Sequence, residues 1–177
     1  MMKTVHLCMV VFVIGFMGCG KSFWARRWGQ AYRMPVHDMD EIIETEEGAT
    51  CMEIFENRGE QYFREKETRL LRQLGTMAGD RIISCGGGTP VYKDNMQWMN
   101  EHGLTVFLSA TPEQLLQNLL QDKAIHRPLI KNVQPNELLF HIHKKLNERL
   151  PVYRQAKLIF NAPEITVEDF ENCLSHA

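Results

Sequence analysis

Nowhere does the 177-residue chain carry an apolar run close to the roughly 20 residues that cross a bilayer. It also lacks a surplus of charge, with Lys+Arg 20 against Asp+Glu 22 and a formal charge of -2. Nonspecific nucleic-acid binders carry a basic stripe, so neither a nucleic acid nor a membrane is expected as partner. The five cysteines (Cys8, Cys19, Cys51, Cys85, Cys173) are odd in number and show no C-x-x-C spacing. That argues against a disulfide framework or a structural zinc site and for a reducing compartment. There is no internal repeat, linker or low-complexity stretch. With 44% hydrophobic and 24% charged residues, disorder, collagen and coiled coil are set aside.

What is present fits one domain over 1–177, since domains commonly run to roughly 100–150 residues. Short apolar runs alternate with amphipathic segments. The runs are Val5–Ile14, Met34–His37, Arg81–Cys85, Thr105–Ala110 and Lys157–Ala162. Helical patterns cover Phe23–Arg33, Glu60–Met77, Thr111–Lys123 and Pro135–Leu150, with a last helix starting at Thr166. Thr111-Pro112-Glu113-Gln114 supplies an N-cap, a first-turn proline and a capping-box glutamine. This alternation predicts an α/β fold, a parallel sheet covered by helices on both faces.

Gly15-Phe16-Met17-Gly18-Cys19-Gly20-Lys21-Ser22 matches G-x-x-x-x-G-K-[ST], after a hydrophobic strand and before a helix. In such a loop successive backbone N–H groups point inward at phosphate oxygens, aided by the following helix N-terminus. The expected nucleoside-triphosphate contacts are Gly18, Cys19, Gly20, Lys21, Ser22 and Phe23. Lys21 reaches the β- and γ-phosphates and the Ser22 hydroxyl ligates Mg²⁺. Cys19 contributes its backbone. Lys3 followed by Val5–Ile14 has the outline of a secretory signal. No A-x-A site follows, however, and cleavage near Cys19 would destroy the loop, so a cytoplasmic protein is expected.

His37-Asp38-Met39-Asp40 closes the second run. In an extended chain residues i and i+2 face one side, so both carboxylates are expected in the cleft at the strand ends. Beside a phosphate loop one would hold hydrated Mg²⁺ and the other would accept a proton from a substrate hydroxyl. The alternative is that Asp38 or Asp40 caps a helix over Glu41–Glu46.

Taken with three later segments, the loop and the Asp-Met-Asp pair resemble the shikimate kinase family. Arg58-Gly59-Glu60-Gln61-Tyr62-Phe63-Arg64-Glu65 resembles its R-G-E-x-x-F-R-x-x-E block, and Ser84-Cys85-Gly86-Gly87-Gly88 its triple-glycine segment. Arg127-Pro128-Leu129 resembles its lid arginine, and Arg149-Leu150-Pro151-Val152-Tyr153 its R-x-P-x-Y segment. The resemblance implies a three-layer α/β/α P-loop kinase fold with a five-stranded parallel sheet in the order 2-3-1-4-5. It further implies a substrate-binding segment at about 38–65 and a lid at about 121–136. The implied reaction is transfer of the γ-phosphoryl of ATP, with Mg²⁺, to the 3-hydroxyl of shikimate, in the route to chorismate, by a monomer. The implied catalytic residues are Lys21, Asp40 and Arg127, the last also reaching the nucleotide. Asp40, Arg64, Gly86, Gly87, Gly88 and Arg149 would bind shikimate, and Ser22 and Asp38 the metal. Planar guanidinium forks at Arg64 and Arg149 suit the substrate carboxylate. Glu60 is placed to orient Arg64 one turn away.

The chain departs from the family where many relatives carry arginines facing the nucleotide, because Leu119 and Leu120 stand there and Lys123 is the nearby cation. His141 and His143 diverge on their helix, and Trp24, Trp28 and Trp98 read as packing residues. The alternative substrate is another small hydroxy acid such as gluconate. A nucleotide-binding adaptor that had lost catalysis would lack Lys21, Asp40 or Arg64, and all three are present.

Overall fold

The computed structural model of the protein describes residues 9–121 and 137–175. Its five strands are β1 (Val10–Ile14), β2 (Val36–Asp38), β3 (Arg81–Ser84), β4 (Leu104–Ser109) and β5 (Leu158–Asn161). They form one sheet in the order β2-β3-β1-β4-β5, with every neighbouring pair parallel. Strand β1 is central and buried on both faces, hence its unbroken Val-Val-Phe-Val-Ile run rather than an alternating one. The expected fold class and strand order are therefore found.

Helix α1 (Lys21–Tyr32) and helix α7 (Asp169–Ser175) cover one face. Trp28, fully buried, stacks on Phe170 and meets Phe160 edge-on, while its indole N–H donates to the Thr166 carbonyl at 3.0 Å. Thr166 and Asp169 exchange caps ahead of α7, the Thr166 N–H donating to Asp169 Oδ2 at 2.7 Å and the Asp169 N–H to Thr166 Oγ1 at 3.2 Å. On the other face lie α3 (Cys51–Thr76), α4 (Asn95–His102) and α6 (Leu138–Tyr153). Phe12 of β1 meets Trp98 of α4 there, and Phe107 of β4 meets Tyr153 of α6. Helix α5 (Pro112–Gln121) packs beside α6, and a 3₁₀ turn spans Thr89–Val91.

Several boundaries differ from expectation for identifiable reasons. The start of the first run, up to Cys8, lies outside the described residues. Strand β2 begins only at Val36, because Pro35 has no N–H to pair and contributes its carbonyl to the Ile82 N–H instead. Helix α3 begins nine residues earlier than Glu60, at Cys51, where Thr50 and Glu53 form a capping box. It is broken at Gly59, whose φ of 82° is closed to most side chains. Helix α6 continues through Pro151 to Tyr153, since a proline in the last turn removes a single intrahelical bond. Helix α4 was not expected from the sequence. In its eight residues only Met96 and Met99 mark a buried face, besides Asn95.

Candidate active site

Strand β1 ends at Ile14 and the chain turns through Gly15–Gly20 into α1, so the loop lies at the carboxyl edge of the sheet. Gly20 is the N-cap of α1 and has no side chain to compete for the helix N–H groups. Lys21, the first helical residue, is buried, and its Nζ donates to the Phe16 carbonyl at 3.0 Å. Ser22 Oγ lies 3.4 Å from Ser84 Oγ at the end of β3.

Asp38 stands beside Ser84 in the β2–β3 register. The capping reading of Asp38 is found, and its two oxygens differ in their surroundings. Its Oδ1 caps α2 (Met39–Glu47), accepting from the Asp40 and Glu41 N–H groups at 3.1 and 3.4 Å. Its Oδ2 is buried and has no hydrogen-bond partner. A buried carboxylate oxygen left unmatched is costly without a cation or donor, so this position suits a hydrated divalent metal. Contrary to expectation, Asp38 and Asp40 do not share one face of an extended chain, because Asp40 sits in the first turn of α2. It reaches the same cleft from the helix.

The triple glycine joins the parts. A Cβ on Gly86 would stand 3.1 Å from Asp40 Oδ1 and would overlap a Glu67 carboxylate oxygen. On Gly87 it would lie 3.4 Å from the Gly15 carbonyl oxygen and 3.5 Å from both Met17 N and Arg149 Nη1. On Gly88 it would overlap the Arg64 guanidinium. Three bare backbone positions thus let Asp40, the phosphate loop, Arg149 and Arg64 approach one strand end.

Arg64 is buried beside the rings of Phe55 and Phe63, 5.2 and 5.6 Å from their centroids. Its Nη1 donates to Glu67 at 2.6 Å, and its Nε and Nη2 donate to Glu60 at 3.3 Å. Burial works to lower the Arg64 pKa, but the Glu67 and Glu60 carboxylates more than offset it, so the guanidinium stays charged. Glu60 does orient Arg64, from a largely exposed position. The stronger partner is Glu67, 1% exposed, which sequence reasoning missed and which also accepts from Thr89 Oγ1 at 2.6 Å. Arg58 is exposed and ties α3 to α2 through Tyr62 and Glu47.

Arg149 comes from the last turns of α6 and is buried, its guanidinium 5.6 Å from the Phe16 ring centroid. Its Nη1 donates to the Gly87 carbonyl at 3.2 Å, and the Tyr153 hydroxyl donates to the same oxygen at 2.5 Å. Tyr153 is fully buried, and burial, opposed by Arg149, raises its pKa to about 12. It therefore remains a donor at neutral pH. Removing that hydroxyl by Tyr153→Phe keeps the Phe107 contact. It is expected to weaken carboxylic-acid substrate affinity about five- to tenfold through Arg149 and Gly87. An unchanged substrate KM in steady-state assays would refute this.

Phe23, expected at the nucleotide, is 55% exposed on the first turn of α1, beside Trp24. Leu119 is buried against Gly18, while Leu120 is exposed. Arg127 and Lys123, with nearly all of the expected lid, lie outside the described residues.

The parallel sheet, its phosphate loop and the acidic and arginine-lined cleft beside the loop define a P-loop small-molecule kinase. A family profile described as Shikimate kinase matches residues 17–176. The chain belongs to the shikimate kinase family. It is 38% identical over 155 residues to a shikimate kinase of Bacteroides fragilis, covering 88% of this chain and 86% of that one. The crystal structure of shikimate kinase from Bacteroides thetaiotaomicron superposes with a TM-score of 0.86 at 34% identity, over 94% of this chain and 98% of that one. Shikimate kinase from Acinetobacter baumannii, solved in complex with shikimate, gives a TM-score of 0.83 at 27% identity, over 96% and 92%. A gluconokinase from Sinorhizobium meliloti, at 15% identity and TM-score 0.58, over 94% of this chain and 90% of that one, shares the fold alone.

Proposed function

We propose that the protein transfers the γ-phosphoryl of ATP to the 3-hydroxyl of shikimate, giving shikimate 3-phosphate and ADP. The observation that carries this is the convergence on Gly86–Gly88 of a carboxylate, two buried guanidiniums and the phosphate loop. A small polyhydroxy acid needs that set: cations for its carboxylate and an acceptor for a hydroxyl next to the donor phosphates.

Arg64 and Arg149 bind the shikimate carboxylate. Asp40 accepts a hydrogen bond from the ring hydroxyl, aims its oxygen at the γ-phosphorus and takes up its proton as the new O–P bond forms. Lys21 and the loop N–H groups hold the triphosphate and offset the charge that develops on its oxygens. Ser22 and Asp38 Oδ2 would hold Mg²⁺, which when bound neutralises phosphate charge. Residues 38–65 act as the substrate-binding segment.

The test is ADP release from ATP and Mg²⁺ with shikimate, run beside gluconate and quinate. Shikimate is expected to be turned over at least about a hundredfold more efficiently, because the other acids mismatch groups that this site pairs. Equal turnover of gluconate, or no shikimate-dependent ADP, would overturn the assignment.

A further inference from the structure

Helix α5 makes a direct hold on the phosphate loop that the proposed mechanism leaves unused. Gly18 has a φ of +81°, and a Cβ there would stand 3.0 Å from Leu119 Cγ and 3.3 Å from the Leu115 carbonyl oxygen. The helix therefore packs on bare loop backbone. At the same corner Asn118 Nδ2 donates to the Gly18 carbonyl at 2.8 Å, across 100 residues of sequence.

The Gly18 carbonyl and the Cys19 N–H belong to one peptide group, and in a trans peptide they point to opposite sides. Fixing the carbonyl outward on α5 fixes the N–H inward. There it meets the Phe16 carbonyl at 3.3 Å, the same oxygen that accepts from Lys21 Nζ. A rotation of this peptide would break that turn bond, point the Gly18 carbonyl dipole into the loop where the motif places phosphates, and disturb the oxygen that also holds Lys21 Nζ. Leu119, 4% exposed, packs against Gly18 next to this bond.

We infer that Asn118 is a positioning residue for the nucleotide, holding the Gly18–Cys19 peptide in its phosphate-binding orientation. The inference rests on reading the loop as the ATP site. It assigns Asn118 no contact with either substrate. Its effect should appear in triphosphate affinity and leave the acceptor side untouched.

The experiment measures binding of Mg-ADP and of Mg-tripolyphosphate, which has no base or ribose, by calorimetry. Wild type, Asn118→Leu and Asn118→Gln are compared. The leucine variant loses the donor at similar volume and is expected to bind both probes about five- to tenfold more weakly. Glutamine keeps the amide and is expected to restore most of the affinity. The KM for shikimate and the melting temperature without nucleotide should not move. Undiminished binding of tripolyphosphate by Asn118→Leu overturns the inference. So does a parallel loss of shikimate affinity or of melting temperature, which would mark a general packing role. If wild type binds both probes but does not phosphorylate shikimate, the substrate assignment fails and the role of Asn118 is still decided by the two variants.

Discussion

Replacing Asp40 by asparagine is expected to lower ATP turnover with shikimate about a thousandfold, within the range by which positioned acid–base groups accelerate proton transfer. The substitution is nearly isosteric and keeps the backbone N–H that α2 uses, bonded to Asp38 Oδ1 at 3.1 Å. It removes the negative charge that faces Gly86 and the ability to take up a proton. Lys21, Ser22 and Asp38 are not touched, so nucleotide affinity should stay within about twofold, as expected when no phosphate contact is lost. The two readouts separate the explanations. A fall in both turnover and ADP binding would indicate a disturbed loop. Retention of more than a tenth of wild-type turnover would exclude Asp40 as acceptor.

Glu67→Gln is expected to act on stability and substrate affinity together. Glu67 is 1% exposed and takes two 2.6 Å hydrogen bonds, from Arg64 and from Thr89. Without its charge, Arg64 keeps Glu60 alone among the described carboxylates, on the exposed side at 3.3 Å. Breaking one partner of a buried ion pair costs about 3–5 kcal/mol; glutamine still accepts a hydrogen bond, so the lower end applies. For a chain of this size that is a fall in melting temperature of roughly 6–12 °C. The freed guanidinium also loses its aim, so the KM for shikimate should rise at least about tenfold while the KM for ATP holds. Calorimetric melting and steady-state kinetics on one preparation check both halves. An unchanged melting temperature would mean that the pair contributes nothing to the fold.

Glu67 also shows where sequence reading stops. In Arg64-Glu65-Lys66-Glu67 every residue is charged, and most such runs are solvated faces. Helical phase nevertheless singles out one of these charges. Phe63, Glu67, Leu70 and Leu74 fall at helical spacing on one stripe, so Glu67 is the charge on an apolar face. The strands, the loop and the parallel order were legible because each is a local pattern or a shared motif. Helix α4 was not, being two turns long with a weak apolar face. The two oxygens of Asp38 have different neighbours, one capping α2 and one buried without a partner, which residue spacing does not encode. The Asn118–Gly18 bond joins positions 100 apart and no local pattern announces it.

The break at Gly59 makes α3 a pair of jointed rods, and the two rods hold different sides of Arg64. Phe55, on the rod before the joint, faces the guanidinium at 5.2 Å. Glu60, Glu67 and Arg64 itself belong to the rod after it. Apolar cover and charged clamp thus reach one guanidinium from the two sides of a single backbone joint, so a substitution that forces residue 59 into helical dihedrals would shift Phe55 relative to Glu60 and Glu67.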